Sequence, residues 1–269
     1  MKLRNLLLFG AILVLLGCKN DPTGPGWIQN LSLGLNAEAR YSWSVVEADS
    51  LSDTIVVATD TLQTRVAAVD DIVGAYTGLI RMEAYSVPHY IGTTKVWYKQ
   101  YPDSLVEVAY STAGATPVVL PKMAGRSSNG SRILTRGNGD YVRLPLLIRW
   151  ILERRGIEDT TIERTDKRIV YRYPLSVGAS WTSFSDPFLQ TREVEDYETV
   201  TAGDQTFWCA RIRTRLPLID PDVEWFDYVS AGGLVRRVVY YPAMQVTSSD
   251  NPDGPGQIVS ITESLNLIQ

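Results

Sequence analysis

The chain of 269 residues contains 26 basic and 30 acidic side chains, which give a formal net charge of −4 at pH 7. A mildly acidic protein has no electrostatic reason to bind nucleic acid or anionic lipid head groups, so those partners are not expected. Hydrophobic residues make up 45% of the sequence, with 14 Tyr and 7 Trp, and this content is ample for a packed core and excludes global disorder.

The first eighteen residues form a distinct N-terminal segment. Lys2 and Arg4 give it a positive start, an apolar run of eleven residues follows over 6–16, and Gly17 and Cys18 end it. The apolar run is about half of the ~20 residues that a helix needs to cross the hydrocarbon core. The pattern therefore predicts a signal peptide that is removed, rather than a permanent membrane span.

The end of this segment, Leu15-Leu16-Gly17-Cys18, resembles the lipobox of bacterial lipoproteins. In that family the chain is cut before the cysteine, whose sulfur receives a diacylglyceryl group and whose new amine is acylated, with palmitate as the expected chain. The resemblance implies cleavage between Gly17 and Cys18 and lipidation of Cys18. Each buried methylene contributes ~0.8 kcal/mol, so several acyl chains make a stable membrane anchor. The alternative is an ordinary secretory signal in which Cys18 is a chance residue.

The residue after the cysteine bears on the choice of membrane. In the Gram-negative sorting pattern, an Asp at this place retains a lipoprotein at the inner membrane, and this chain has Lys19 there. The resemblance therefore implies the outer membrane, facing the periplasm. Removal of residues 1–17 takes away two basic residues, so the formal charge of −4 becomes −6. Lipidation of Cys18 also leaves Cys209 without a partner, and no intramolecular disulfide is expected.

Residues 18–36 are rich in Pro and Gly and show no hydrophobic periodicity. This composition predicts a flexible tether between the lipidated cysteine and the folded domain. Trp27 and Ile28 could instead rest on the domain or at the lipid interface.

Strand patterns fill the region from 38 to 112. Polar and apolar residues alternate in Tyr41-Ser42-Trp43-Ser44-Val45-Val46, for example, as they do in half-buried strands. Turn signals at Asp70-Asp71, Pro88-His89 and Pro102-Asp103 separate the runs. The close spacing predicts antiparallel meander connections rather than βαβ units.

The middle of the chain contains the one convincing helix. Residues 113–140 are rich in Pro, Gly and Ser and are predicted to be irregular, with a hairpin turn at Asn129-Gly130. The helix is predicted from Pro145 to Arg155, closed by Gly156, because proline at the start and glycine just past the end are typical of helix termini. Its wide apolar face favours packing against one side of a curved sheet. A membrane-surface or partner helix is the alternative.

Strand patterns resume at residue 167 and continue to 268. Between 210 and 216, the even-numbered residues are Ala, Ile, Thr and Leu, and the odd-numbered ones are all Arg. The predicted fold is mainly β: a curved antiparallel sheet or incomplete barrel with one packed amphipathic helix at about 145–155. The predicted domain plan is a signal peptide (1–17), a lipidated cysteine and tether (18–36), and a β-rich globular domain (37–269), which could divide into subdomains at about 37–140 and 157–269.

A second resemblance covers about residues 170–240. Tyr173-Pro174-Leu175-x-Val177-Gly178-x-x-Trp181 is followed by Ala202-Gly203-x-x-Thr206-Phe207-x-Cys209 and by Ala231-Gly232-Gly233-Leu234-Val235. These runs look like those of uncharacterised bacterial envelope β-proteins, whose sheets resemble the incomplete barrels of periplasmic lipoprotein carriers. The shared elements are turn glycines and core aromatics, so no functional residue carries over.

Candidate catalytic residues are few. His89 is the only histidine, so a two-histidine metal motif is impossible and any histidine triad must recruit it. Its place in a turn favours a surface or hydrogen-bonded role. Cys209 could be a thiolate near Arg211, although a structural cysteine in a strand is favoured. The Asp-rich turns lack the ligand spacing of a calcium loop, and no catalytic residue, metal or cofactor is predicted.

Arginine is the most distinctive polar residue of the second half of the chain. A possible ligand or partner face is made by Arg211, Arg213, Arg215, Arg236 and Arg237. If a hairpin closes at 201–205, acidic residues of the preceding strand oppose the first three and form cross-strand ion pairs, each contributing ~0.2–1 kcal/mol. A solvated ladder of ion pairs is the favoured interpretation. A surface for an acidic ligand or a partner is the alternative.

These patterns predict a membrane-anchored envelope lipoprotein that acts as a non-catalytic binding or interaction module. Its expected partners are the lipid bilayer, through acylated Cys18, and an envelope protein or an amphiphile. The first alternative is a carrier of lipid or another amphiphile, whose concave face would be apolar and unfilled, with the 145–155 helix as a lid. The second is a hydrolase, which requires a cleft that joins His89 or Cys209 to an acid and a base.

Overall fold

The computed structural model describes residues 26–48, 54–86, 93–111, 132–136, 161–185, 189–217, 220–248 and 257–269. Across these ranges no helix has the length and apolarity to cross a membrane. The strands of the described residues are β1 (Glu38–Ala48), β2 (Thr54–Val73), β3 (Tyr76–Ser86), β4 (Thr94–Tyr101), β5 (Ser104–Ser111), β6 (Arg132–Arg136), β7 (Thr161–Arg172), β8 (Ser180–Phe184), β9 (Gln190–Ala202), β10 (Gln205–Leu216), β11 (Asp220–Ser230), β12 (Gly233–Ser248) and β13 (Gln257–Leu267).

All of these strands belong to one sheet, in the spatial order β7-β5-β4-β3-β2-β1-β13-β12-β11-β10-β9-β8, with β6 beside β12. Strands β1–β5 form one meander and β8–β13 form another. The two meanders join where β1 pairs with β13, with Trp43 opposite Leu265. Adjacent strands are antiparallel except for β6, which runs parallel to β12. The predicted mainly-β, antiparallel, unclosed sheet is confirmed, whereas the predicted helix at 145–155 lies outside the described residues. The division into subdomains stays a prediction.

The two ends of the sheet, β7 and β8, contact each other, although no backbone ladder joins them in the described residues. Trp181 Nε1 donates to the Ile169 carbonyl at 3.1 Å, and Ser183 Oγ donates to the same carbonyl at 2.7 Å. Arg192 Nη1 donates to the Val170 carbonyl at 2.6 Å. The sheet is therefore rolled until its edges meet along a seam. Side chains at this seam satisfy backbone carbonyls of an edge strand that would otherwise be open to pairing.

Apolar side chains fill one end of the rolled sheet. Leu105 of β5 and Tyr171 of β7 belong to the same packed cluster as Val194 of β9 and Ile212 of β10. Because these strands are far apart in the sheet order, their side chains meet across the interior. Burial of such a side chain contributes ~1.5–3 kcal/mol, so this cluster is a main reason for the rolled shape. At this end the concave side is occupied by the protein's own residues.

Strand β10 defines the two faces of the sheet. Its even-numbered residues from 210 to 216 are buried, and its arginines at 211, 213 and 215 lie on the opposite face, as the alternation predicted. Ile212 pairs with Asp227 of β11 and with Val194 of β9, so these three residues share the inner face. The arginines of β10 consequently lie on the outer face.

The turn predicted at Asp70-Asp71 is wrong. Both residues lie inside β2, and the chain turns at Gly74, whose φ of 55° is readily adopted by glycine. Trp97 Nε1 and Arg81 Nη1 each donate to Asp71 Oδ2 at 2.9 Å, which keeps this carboxylate within the sheet. Burial raises the pKa of Asp71, but hydrogen bonds from Trp97 and the next backbone amide and the charge of Arg81 outweigh it, so the pKa is lowered.

The N-terminal segment packs against one end of the rolled sheet from Ile28 onwards. The Ile28 amide donates to Tyr197 Oη at 3.0 Å, and the Ile28 carbonyl accepts from the Leu175 amide at 2.9 Å. Ile28 and Leu31 are buried in the main core cluster. Residues 28–36 therefore belong to the folded domain, whereas the composition had placed them in the tether. The alternative in which Ile28 rests on the domain is the one observed.

Replacing Leu31 by Ala should lower the free energy of unfolding by about 2 kcal/mol or more, because truncation of a packed core leucine leaves a cavity. Leu31 is 8% exposed, whereas Leu35, four residues along, is 54% exposed. Leu35→Ala is therefore the matched control and should change stability little. Urea unfolding followed by tryptophan fluorescence measures both variants. Equally small effects would show that this segment is not part of the folded domain.

Candidate functional site

The predicted arginine face begins on the outer side of β10. Arg211 Nη2 lies 3.4 Å from Glu195 Oε2, and Arg213 Nη1 lies 3.3 Å from Glu195 Oε1. Arg215 Nη2 lies 3.7 Å from Glu193 Oε2. These contacts are the cross-strand ion pairs between β9 and β10 that the sequence predicted. Because the side chains are part exposed, each pair contributes only ~0.2–1 kcal/mol.

Aromatic rings lie against the outer arginines. The guanidinium carbons of Arg211 and Arg213 lie 5.8 and 5.6 Å from the centroid of the Phe226 ring. The guanidinium carbon of Arg236 lies 5.7 Å from the centroid of the Tyr228 ring. Such contacts contribute ~0.5–1 kcal/mol at exposed sites. The outer arginines are thus held by carboxylates and rings of their own sheet.

Arg237 lies on the opposite face from the other predicted arginines. Its Nε donates to Asp227 Oδ1 at 2.6 Å, and its Nη2 donates to Asp227 Oδ2 at 2.9 Å, on the inner side of the sheet. Successive residues of a strand point to opposite faces, so Arg236 and Arg237 cannot share a surface. The five predicted residues therefore do not form one face: four are outside and Arg237 is inside.

Asp227 is fully buried and lies at the centre of a hydrogen-bond network on the inner face. Besides Arg237, its carboxylate accepts from Arg192 Nη2 and from Trp225 Nε1, the latter at 3.0 Å. Arg192 is itself only 3% exposed, and its Nε donates to Thr214 Oγ1 at 3.1 Å. Such complete hydrogen bonding is what a charge needs in order to be buried without a large penalty.

The charges around Asp227 decide its protonation state. Burial by itself raises the pKa of the Asp227 carboxyl, but the charges of Arg237 and Arg192 and hydrogen bonds from Arg237 and Trp225 outweigh burial, and the pKa falls to about 2. Burial lowers the pKa of Arg237, but the charge and hydrogen bonds of Asp227 more than offset this and raise it above its ordinary value. The pair is therefore ionised at neutral pH.

Strand β7 reaches this network across the interior. The guanidinium carbon of Arg192 lies 5.3 Å from the centroid of the Tyr171 ring. Burial, followed by the negative charge of Asp227, raises the pKa of the Tyr171 hydroxyl, so this side chain stays neutral. Since β7 and β9 lie near opposite edges of the sheet, the network connects the two edges from within.

A second group of charges lies on β5 and β7 beside the seam. Arg164 Nη2 and Nε donate to Glu107 Oε1 at 2.5 and 2.8 Å, and Arg168 Nη1 lies 3.6 Å from Glu107 Oε2. Arg168 Nη2 also donates to Gln190 Oε1 of β9 at 3.3 Å, which bridges the seam. Two guanidiniums therefore share one carboxylate, and Glu107 is only 4% exposed.

These residues define an inner arginine cluster, whose members are Arg164, Arg168, Arg192 and Arg237. The carboxylates that pair with the cluster are Glu107 and Asp227. A third, Glu263, is held by Trp43 Nε1 at 2.7 Å and lies close enough to Arg237 to raise its pKa. Glu47 is also buried on this face, because it pairs with Ile261, two residues from Glu263. Among the described residues, one buried carboxylate, that of Glu107, is shared by the guanidiniums of Arg164 and Arg168.

Neighbouring positive charges act on Arg168. Burial lowers the pKa of Arg168, Glu107 offsets this only in part, and the charges of Arg192 and Arg164 lower it further. The side chains of Arg168 and Arg237 are each 28% exposed, whereas that of Arg192 is 3% exposed. Arg192 is consequently locked in place, whereas the side chains of Arg168 and Arg237 are partly exposed.

Strand parity in the sequence indicates this inner network, although the predicted site did not include it. Asp227 has the same strand parity as Trp225 and Val229, and Arg192 has the same parity as Val194. A charged residue in phase with an apolar series is expected to be buried and paired, because strand side chains alternate between the two faces. Nothing in the local pattern indicates that the partner of Asp227 would come from β9.

The predicted catalytic candidates do not meet in the described residues. Cys209 is fully buried, and burial, together with the charge of Glu198, raises the pKa of its thiol to about 12. Its Sγ donates a weak hydrogen bond to the Phe207 carbonyl at 3.8 Å. His89 lies outside the described residues. Within the described part of the chain, no group of three His, Cys, Asp or Glu side chains is placed to hold a metal ion.

Replacing Asp227 by Asn should lower the free energy of unfolding by about 3–5 kcal/mol at pH 7, because it leaves Arg192 and Arg237 buried without their counter-charge. The folded pKa of about 2 lies below the value of ~3.9 for an unfolded chain. Asp227 therefore contributes stability that is present above pH ~4 and is lost as the pH falls towards 2. Denaturant unfolding at stepped pH should give a steeper acid decline for wild type than for Asp227→Asn.

The control for that experiment is Glu193→Gln, which neutralises a carboxylate that is 43% exposed on the outer face. It should change stability by less than about 1 kcal/mol. Acid profiles of wild type and Asp227→Asn that run parallel would contradict the assigned pKa of Asp227.

Cys209 should react with a thiol reagent at least ~100-fold more slowly in the folded protein than in denaturant, because both burial and a raised pKa suppress the thiolate. The measurement uses a Cys18→Ser chain, in which Cys209 is the sole cysteine. A disulfide-exchange reagent followed by absorbance gives both rates. Fast labelling of the folded chain would restore Cys209 as a candidate nucleophile.

Comparison with known proteins gives two slight structural likenesses. No protein family and no curated protein matches this chain. The crystal structure of a proposed lipoprotein from Parabacteroides distasonis has a TM-score of 0.28 and 11% identity, and the match covers 88% of this chain and 99% of that one. The structure of DynF, from the dynemicin biosynthesis pathway of Micromonospora chersina, has a TM-score of 0.21 and 8% identity, over 97% of this chain and 94% of that one. At these TM-scores neither likeness extends to a function or to a site residue.

Proposed function

We propose that this chain is a lipoprotein of the bacterial cell envelope, anchored through acylated Cys18 in the outer membrane and facing the periplasm. Its rolled sheet acts there as a non-catalytic binding module, and the ligand is an oxyanion that contacts the inner arginine cluster. The anchor is supported by the segment Met1–Cys18, with its positive start, short apolar run and lipobox. The binding role rests on one observation, the sharing of the buried carboxylate of Glu107 by two guanidiniums, those of Arg164 and Arg168.

Electrostatics explains why two guanidiniums that share one buried carboxylate point to an anion. A guanidinium inside a protein is costly unless a negative group compensates it, and here Arg164 and Arg168 share a single carboxylate, Glu107. A second negative group beside Arg168 would restore the balance of charge. Carboxylate and phosphate groups have paired oxygens that match the fork of an arginine, so both belong to the proposed ligand class.

The exposure of the arginines is the basis for assigning contacts with the proposed ligand. The side chains of Arg168 and Arg237 are each 28% exposed, and within the described part of the chain Arg168 has a single carboxylate contact, at 3.6 Å. The outer arginines are poorer candidates, because Glu195 and Glu193, which pair with those of β10, are more exposed than Glu107, so water screens the charges of the outer face. We therefore assign first contact with the ligand to Arg168.

The interior supports a site for a small acidic group better than the alternative, a carrier of long acyl chains. Such a carrier needs an apolar and unfilled concave face. Here a packed cluster that includes Leu105 and Ile212 fills one end of the interior. The ion pairs of Asp227 with Arg192 and Arg237 occupy another part. An amphiphile that inserts only its acidic head group is still compatible with the cluster, and the experiment below includes it.

The experiment compares inorganic phosphate with octanoate as probes of the mature chain carrying Cys18→Ser. Each probe should raise the melting temperature relative to chloride at equal ionic strength, because a ligand at 100 times its Kd stabilises the folded state by about 2.7 kcal/mol. Arg168→Gln should abolish the rise. Arg215→Gln, an exposed arginine of the outer ladder, is the matched control and should keep it.

The outcomes separate the competing functions. Stabilisation by both probes that depends on Arg168 supports an oxyanion site, and stabilisation by octanoate alone supports the amphiphile carrier. Equal loss in Arg168→Gln and Arg215→Gln, or no stabilisation of wild type by either probe, would overturn the proposed ligand.

A further inference from the structure

Apolar side chains are exposed at the end of the rolled sheet where the N-terminal segment docks. Trp27 is 45% exposed and Val177 is 48% exposed. The ring of Trp27 lies edge-on to Tyr197, with 6.5 Å between centroids. Tyr197 Oη donates to the Leu175 carbonyl at 2.6 Å, which connects the loop of Val177 to the same place. We call this end the N-terminal end.

The register of the strands places several turns at the N-terminal end. Tyr173 N donates to the Asp103 carbonyl, which brings the loop between β7 and β8 beside the turn between β4 and β5. Ser32 N donates to the Ala231 carbonyl in the turn between β11 and β12. Leu35, 54% exposed, belongs to the same docked segment. The apolar residues exposed at this end thus lie in the docked segment and in a loop, whereas Val69 and Ile72, also exposed, lie in β2.

The position of the lipidated cysteine identifies what covers this surface. Trp27 is nine residues after Cys18, and nine residues span at most about 30 Å in any conformation. From Ile28 the backbone is fixed to Tyr197 and Leu175. An acylated Cys18 must therefore hold the N-terminal end within about 30 Å of the lipid. Because of this short tether, apolar groups at the N-terminal end meet the membrane at a high effective concentration.

We propose that the N-terminal end of the rolled sheet rests on the phospholipid bilayer, with Trp27 and Val177 inserted at its interface. This inference depends on the proposed lipid anchor. Tryptophan is enriched at membrane–water interfaces, where the ring sits at head-group level. The Tyr197 ring stacks on the Trp208 ring, with 5.8 Å between centroids, and Trp27 packs edge-on against Tyr197. Two packed aromatic rings therefore hold the indole of Trp27 at this end. The wall of the sheet then stands away from the membrane.

The test uses the lipidated full-length protein, reconstituted at low density in vesicles of phosphatidylethanolamine and phosphatidylglycerol. A fluorophore is attached to Val177→Cys or, as a matched control, to Arg215→Cys on the outer face of β10. Buried Cys209 and acylated Cys18 do not take up the label. Lipids with a brominated acyl chain should quench the label at 177 at least threefold more than the label at 215. Adding Trp27→Ala should reduce the quenching at 177.

Failure of the orientation and failure of the anchor give different results. If the protein does not float with vesicles, or floats equally well as Cys18→Ser, the lipid anchor is refuted. If flotation requires Cys18 but both labels are quenched equally, the anchor stands and the membrane-facing end is refuted. Spectral changes at 177 that occur without vesicles, or that increase with protein density, would show self-association and would also overturn the orientation.

Discussion

The structure depends on the burial of one carboxylate, that of Asp227. A fully buried charge is tolerated only where donors surround it, and the donors to Asp227 come from Arg192 of β9, Arg237 of β12 and Trp225 of its own strand. These groups converge only if the three strands keep their observed register. A one-residue slip in any of them would turn a charged side chain to the wrong face and leave its partner unpaired.

The same network determines how far the sheet rolls. Arg192 donates with one group to Asp227 and with another to the Val170 carbonyl on the far edge of the sheet. Closure of the seam and neutralisation of Asp227 therefore stabilise each other. The ring of Tyr171 lies against the same guanidinium and is part of the apolar cluster that fills one end of the interior. Hydrogen bonding and apolar burial thus favour one curvature of the sheet.

Local pattern predicted the strands and the outer face well. The alternation of residues 210–216 and the ion pairs with Glu193 and Glu195 follow from period and spacing alone. The seam could not be predicted, because its acceptors are the backbone carbonyls of Ile169 and Val170, which any residue would supply. Arg237 was assigned to the wrong face because charge was considered without strand parity. Strand β6 was missed because it lies in a segment rich in Pro, Gly and Ser.

The two groups of arginine show that residue type alone does not define a site. On the outer face, each guanidinium of β10 contacts a carboxylate of the neighbouring strand, and Arg211 and Arg213 share Glu195. On the inner face, rolling of the sheet brings arginines from β7, β9 and β12 together with buried carboxylates from other strands. The inner arginine cluster is therefore a product of tertiary structure, whereas the outer ion pairs follow from neighbouring strands. In the proposed lipoprotein, the docking of Ile28 would give the domain one orientation, because a domain held at one end can present only its remaining surface away from the membrane.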